Sequence, residues 1–243
     1  MTARPSRRSP RGAARAGLPN GRALGPDFFD RDAQVVACDL LGKVLCHEAD
    51  GQVLWAAIVE VEAYYREEKA SHASLGYTEK RKALFMPPGT IYMYYARGGA
   101  SLNVSCRGEG NAVLIKAGRP QVRGPDAEAA LTEMRRRNPL PSGQERPPER
   151  LCAGQTLLCK ALGLRVPDWD QLLLPQARLR FLDLGYRPAR IVRTTRLGIP
   201  AGRDPHLPYR FVDAAHTCSA TQNPLRRGSR EGRDYVLLEA EAG

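Results

Sequence analysis

The chain has 243 residues, 42% of them hydrophobic, a net charge of +11 and a pI near 9.7. That length allows one large domain with a real core, and charge on this scale points to a polyanionic partner such as nucleic acid. No run of about 18 apolar residues exists to span a membrane, no apolar stretch near the N-terminus marks a secretory signal, and the four histidines and six cysteines form neither HxxxH nor CxxC, which argues against zinc.

Taken in order, residues 1–24 hold six arginines and no acid among Pro, Gly, Ser and Ala. Such a segment cannot bury enough apolar surface to order itself and reads as a disordered basic arm, although an organelle transit peptide has a similar composition. The folded region is expected over 25–213. Asp30 reads as the N-cap of a helix reaching Leu41, with Val35, Val36 and Leu40 inward and Gly42 as the stop. Val44–Ala49, Asp50-Gly51 and Val53–Tyr64 form the strongest hairpin signal in the chain.

The outgoing strand ends in Ile58-Val59-Glu60-Val61-Glu62-Ala63-Tyr64-Tyr65. Simple alternation places Ile58, Glu60, Glu62 and Tyr64 on one face, with the two carboxylates about 6.7 Å apart, and Val59, Val61, Ala63 and Tyr65 on a core face. A partly buried carboxylate beside another is pushed towards a higher pKa, which suits a general base; solvated glutamates on an exposed edge are the bland alternative.

Arg66–Gly89, carrying His72, is a long polar loop of the kind that usually serves function. Strands follow at Thr90–Tyr94, at Ser101–Cys106 (with Asn103) and at Asn111–Ala117, the first two joined by the tip Tyr95–Ala100. Pro125-Asp126 starts a helix ending at Arg137, and Thr156–Leu162 forms a buried helix stopped by Gly163. Leu179–Leu184, Ala189–Thr195 and Pro208–Val212 read as further strands. Residues 214–243, with Arg226, Arg227, Arg230 and Arg233, read as a mobile basic tail. The cysteines sit in apolar runs and read as buried thiols in a reducing cytoplasm. The expected fold is α+β: a single mixed domain with a curved, mostly antiparallel sheet, flanking helices and a hairpin presenting the site.

An acid on a strand, a tyrosine two residues on, a histidine eight further, then Tyr92, Tyr94, Tyr95 and Asn103, make an aromatic set suited to holding an unstacked nucleobase. At this point the sequence resembles the alkyladenine (3-methyladenine) DNA glycosylases of the methylpurine type. The matching residues are Phe28-Phe29, Leu40-Leu41-Gly42-Lys43, Ile58 to Tyr64, Ser71-His72, Phe85 to Tyr94, Leu102-Asn103-Val104, Leu151 to Gly154 and Arg196-Leu197-Gly198-Ile199.

The resemblance implies Glu62 as the base that activates water, and Tyr64 and His72 as faces of a pocket for the flipped base, with Tyr94 opposite. It implies Asn103 as a pocket wall that screens purines and Lys116 near phosphate and water, where the family usually has arginine. The tip is one residue shorter than the family pattern, so Tyr95 or Arg97 is the implied wedge, Tyr95 being favoured.

The implied activity is monofunctional hydrolysis of the N-glycosidic bond of alkylated purines in double-stranded DNA, in base excision repair. No metal or cofactor is required, and no lysine stands at the acid's position to form a Schiff base. A monomer is expected in the cytoplasm, with the nucleoid in a bacterium, or in the nucleus of a eukaryote. Two rivals remain: a carbohydrate hydrolase using Glu60 and Glu62 as its pair, and a non-catalytic DNA-binding module of the same fold.

Overall fold

The computed structural model describes residues 18–96, 98–121 and 126–239. Its strands are β1 (Arg22–Ala23), β2 (Val44–Ala49), β3 (Gln52–Tyr64), β4 (Ile91–Ala96), β5 (Gly99–Ser105), β6 (Ala112–Pro120), β7 (Leu179–Asp183), β8 (Arg190–Thr194), β9 (Arg210–Asp213) and β10 (Tyr235–Glu239). They form one sheet in the order β1-β7-β2-β3-β6-β5-β4, with β9, β8 and β10 branching from β3, and every one of these pairings is antiparallel. The helices are α1 (Pro26–Phe29), α2 (Ala33–Leu40), α3 (Ala127–Arg137), α4 (Pro148–Leu151), α5 (Gln155–Leu162) and α6 (Val166–Trp169). The expected α+β class is what the chain adopts. No helix among the described residues is long and apolar enough to cross a membrane.

The β2–β3 hairpin turns on Asp50 (φ 49°) and Gly51 (φ 77°), the two positive φ angles that a two-residue type I′ turn requires. β3 is the spine of the sheet. Its first half pairs with β2 as far as Ala57; from Glu60 to Glu62 it pairs instead with β9, while β6 runs along its other edge.

The register between β3 and β6 slips twice. One slip leaves Val59 unopposed between Ile58↔Gly118 and Glu60↔Ala117, and the next leaves Lys116 unopposed before Val61↔Ile115. An extra residue reverses the inward and outward parity of a strand. Leu54, Ala56 and Ile58 therefore enter the main core ahead of the slip, and Val61 and Ala63 enter it beyond. The simple alternation read from the sequence is corrected here: Ile58 does not share a face with the glutamates.

Helix α2 begins later than expected. Asp32 caps it, accepting from the Gln34 amide at 2.9 Å, while Asp30 takes the Arg107 guanidinium at 3.0 Å. Ala33, Val36, Ala37 and Leu40 form the buried stripe, so Val35 lies on the outer face at 48% exposure rather than inward. Helix α5 packs against β5 and β6 and ends at Gly163, left-handed at φ 68°.

Cys46, Cys106, Cys152 and Cys159 are buried, as expected; Cys38 is half-buried and Cys218 exposed, against expectation. The folded region also extends past both expected ends. Leu24 is in the core, β1 pairs with β7, and residues 214–239 supply a 3-10 turn (Ala214–Ser219), the buried Ala220 and strand β10 on β8. Residues 1–17 of the expected arm and 240–243 of the expected tail lie outside the described residues.

Candidate active site

Antiparallel pairing sets four strands in one row: Glu62 of β3 opposes Leu114 of β6, which opposes Asn103 of β5, which opposes Tyr92 of β4. Side chains opposite one another share a face, and so do those two residues along each strand. Tyr64, Lys116 and Tyr94 therefore join the same face. The 3-10 turn His72–Leu75 from the loop after β3 brings His72 to this face, and these side chains, Glu62 apart, line a cavity of about 270 Å³.

Glu62 has no exposed surface, so the solvated-edge alternative does not hold. Its Oε2 accepts from the Tyr64 hydroxyl at 2.7 Å; its Oε1 accepts from the Leu197 amide at 3.3 Å and lies 3.4 Å from Lys116 Nζ. Tyr64, Leu197 and Lys116 all line the cavity, so the carboxylate sits one layer behind its wall. Lys116, 8% exposed, also donates to Gln155 Oε1 at 3.0 Å at the start of α5. The register slip at Lys116 is the local reason it leaves the ladder and meets the acid.

Burial, and then the Glu62 carboxylate, hold the Tyr64 phenol well above its ordinary pKa, so it remains a donor. Behind Tyr64 lies a buried cation. Arg196 Cζ is 4.5 Å from the Tyr64 ring centroid and 5.5 Å from that of Tyr209, and its Nη1 donates to Ala63 O at 2.9 Å. Arg196 ion-pairs with Glu68, which also accepts from the Tyr65 amide at 2.9 Å. Burial pushes the Glu68 carboxyl up despite the pull of Arg196.

His72 and Tyr94 touch, with centroids 4.6 Å apart and planes at 60°, and Tyr94 stacks on Tyr92 at 5.5 Å and 28°. His72 and Tyr94 thus form one wall of the cavity. His72 Nδ1 is 3.0 Å from the Tyr92 hydroxyl. Burial first, then Arg81 and Arg203, lower the His72 pKa, so the ring is neutral at pH 7. Asn103 is buried and donates through Nδ2 to Tyr92 O at 3.1 Å.

Among the other candidates, Tyr95 stands near the end of β4 at 70% exposure. Arg97 lies outside the described residues. Glu60 binds Arg210 Nε at 2.6 Å and the Thr221 amide at 2.6 Å. With both oxygens committed to tying β9 and the following segment to β3, it does not pair with Glu62 as the carbohydrate reading required. Sequence reasoning assigned no role to Gln155, Arg196, Leu197 or Arg203, all placed at or beside the cavity. Arg196 and Leu197 belong to a matched segment, but separations of more than 130 residues hid their contacts with Ala63 and Glu62.

The family model for methylpurine-DNA glycosylase (MPG) matches residues 27–217. A Pseudomonas savastanoi pv. phaseolicola protein, provisionally named a 3-methyladenine DNA glycosylase, is 61% identical over 217 residues, covering 89% of this chain and 97% of its own length. A Pseudomonas aeruginosa protein with the same provisional name is 59% identical over 220 residues, 90% of this chain and 92% of its own. The DNA-3-methyladenine glycosylase of Mus musculus is 37% identical over 197 residues, 77% of this chain and 58% of the mouse protein. The chain belongs to the methylpurine-DNA glycosylase family and is a DNA glycosylase, a hydrolase of N-glycosyl bonds.

Proposed function

We propose that the enzyme turns an alkylated purine out of duplex DNA into the cavity walled by Tyr64, His72 and Tyr94, and that Glu62 activates the water that hydrolyses the N-glycosidic bond. Extrusion is needed because the sugar carbon of a stacked nucleotide is out of reach of a fixed carboxylate. Both Glu62 oxygens already have partners. Glu62 also has no exposed surface, so water reaches it only when the entering nucleotide moves one of those partners aside, the Tyr64 hydroxyl being the most readily turned.

Glu62 takes the water's proton, the resulting hydroxide adds to C1′, and the bonding electron pair leaves with the base. An alkylated purine carries positive charge on its ring, so it departs neutral and needs little help as a leaving group. The neutral state of His72 favours this substrate, since an imidazolium would repel a cationic base while an uncharged ring can stack on it. Asn103 forms the wall that screens the purine edge, and Lys116 steadies the carboxylate and meets the phosphate side. Tyr95 or Arg97 fills the gap left in the duplex. A monomer acting on DNA in the cytoplasm completes the reading.

The observation that carries it is the buried acid bonded to three groups of an aromatic-walled cavity. Glu62→Gln is nearly isosteric: its oxygen keeps the Leu197 amide and Lys116, and its amide can donate to the Tyr64 hydroxyl. The expected result is an unchanged fold with release of free base from alkylated duplex slowed about 10²–10⁴-fold, the usual worth of a general base. Release at the native rate would remove Glu62 from the mechanism.

A further inference from the structure

Residues 222–233 follow the last motif that the base cavity uses, and their four arginines read from sequence as tail. They are instead pinned at both ends. Arg210 donates through Nη2 to Gln222 O at 2.6 Å, and Glu60 holds the neighbouring Thr221 amide. At the far end β10 pairs with β8, and Thr194 Oγ1 donates to Asp234 O at 2.7 Å. Between these anchors the Ser229 amide donates to Arg226 O at 3.0 Å, and the Leu225 amide to Asn223 Oδ1 at 2.8 Å. The segment encloses a groove of about 560 Å³ that shares the Leu197 wall with the base cavity.

The charges of this groove do not cancel. Arg210 is neutralised by Glu60, and Arg233 by Asp234 at 2.6 Å. Arg226 and Arg227 are exposed, and among the described residues neither guanidinium has a hydrogen bond or ion pair. Thr195, Asn223 and Ser229 add neutral side chains of the kind that bond phosphate oxygens. A self-contained fold gains nothing from holding two unpaired cations together on a pinned loop. A polyanion does, because the cations are already placed and their counterions are released on binding.

We propose that this groove is a second phosphate-binding surface, in which Arg226 and Arg227 grip the DNA backbone beside the nucleotide that enters the base cavity. The inference rests on the reading that the Tyr64–His72 cavity receives that nucleotide. It gives the C-terminal segment a share of affinity, separate from the chemistry at Glu62.

The test uses the full chain and the double variant Arg226→Ala/Arg227→Ala. A charge-matched control, Arg22→Ala/Arg187→Ala, removes two exposed arginines that line neither the groove nor the base cavity. Binding to duplex carrying a tetrahydrofuran abasic mimic is measured across a salt series, and base release from alkylated duplex is measured at saturating protein. The groove variant is expected to lower the slope of log affinity against log salt by about 1.8, roughly 0.9 for each phosphate that is no longer neutralised. Its single-turnover release rate at saturation should be unchanged and the control's slope should stay native. An unaltered slope, or an equal drop in the control, overturns the groove while leaving the Glu62 reading intact. A lowered slope with a fallen release rate at saturation overturns the separation of this segment from the chemistry, whereas a native protein that binds the abasic duplex no more tightly than undamaged duplex sinks the pocket reading, and the groove with it.

Discussion

Arg196 offers the sharpest test of how the site is held. Arg196→Met removes a guanidinium with no side-chain exposure and replaces it with an apolar chain of similar length. The Ala63 carbonyl loses its side-chain donor, and Glu68 is left as a buried carboxylate without its cation. Breaking a buried pair from one side costs about 3–5 kcal/mol, because the remaining charge is uncompensated. In a chain of this size each kcal/mol moves the melting temperature by about 2–4 °C, so the expected loss is about 6–20 °C.

The loss should also depend on pH in a defined direction. Burial already raises the Glu68 carboxyl above its ordinary value, and Arg196 is the main influence pulling it down. Without Arg196 it rises further. A carboxyl whose folded-state pKa lies above the unfolded value contributes stability that is complete below the unfolded pKa and lost as pH rises through the folded one. The deficit should therefore be small in acid and grow towards alkaline pH. Arg196→Met/Glu68→Met removes both charges and should regain most of the stability at neutral pH, as apolar replacements of buried pairs usually do. It should not regain full base binding, because Tyr64 still lacks the cation 4.5 Å behind its ring. Thermal unfolding followed by circular dichroism reads all three proteins. A single variant within about 1 kcal/mol of the native protein, or a deficit indifferent to pH, would refute the account.

Two further expectations concern the pocket and the duplex. Because the His72 pKa lies below its ordinary 6.5, lowering the pH charges the ring and should cut affinity for a cationic damaged base more than for a neutral one. In His72→Phe the ratio of those two affinities should be flat with pH, and a ratio that still falls would acquit His72. Tyr95→Ala removes an exposed ring, so its melting temperature should match the native protein, while base release from duplex falls about tenfold or more if the ring offsets an unstacked step worth a few kcal/mol. An equal fall on single-stranded alkylated DNA would show that Tyr95 does not act as a wedge.

Much of the fold was legible because its signals are local. Asp50-Gly51 between two apolar runs specifies a hairpin whatever surrounds it, and Gly163 after an amphipathic run specifies a helix stop. The end of the folded region was misplaced for the opposite reason. Tyr235–Glu239 is a short strand after a Gly/Arg-rich stretch, and only the open edge of β8, some 40 residues earlier, makes it one. Val35 lies outward because the buried stripe runs through Ala33, Val36, Ala37 and Leu40, two of them alanines whose small side chains carry little hydrophobic signal.

The sequence by itself determined the spine: a hairpin whose second strand carries Glu60, Glu62 and Tyr64 two residues apart, and aromatic residues at matching intervals on the strands that follow. Spacing of two is a property of the extended backbone, so their common face needed no tertiary knowledge. What the tertiary structure decided is which partners each acid meets. The register slips at Val59 and Lys116 turn the glutamates away from the apolar core and set a lysine beside Glu62. Arg210 and Thr221 claim Glu60, while Tyr64, Leu197 and Lys116 hold Glu62 at the cavity wall. Those partners lie up to 161 positions away in the chain, and nothing in the local sequence distinguishes one buried glutamate from the other before they arrive.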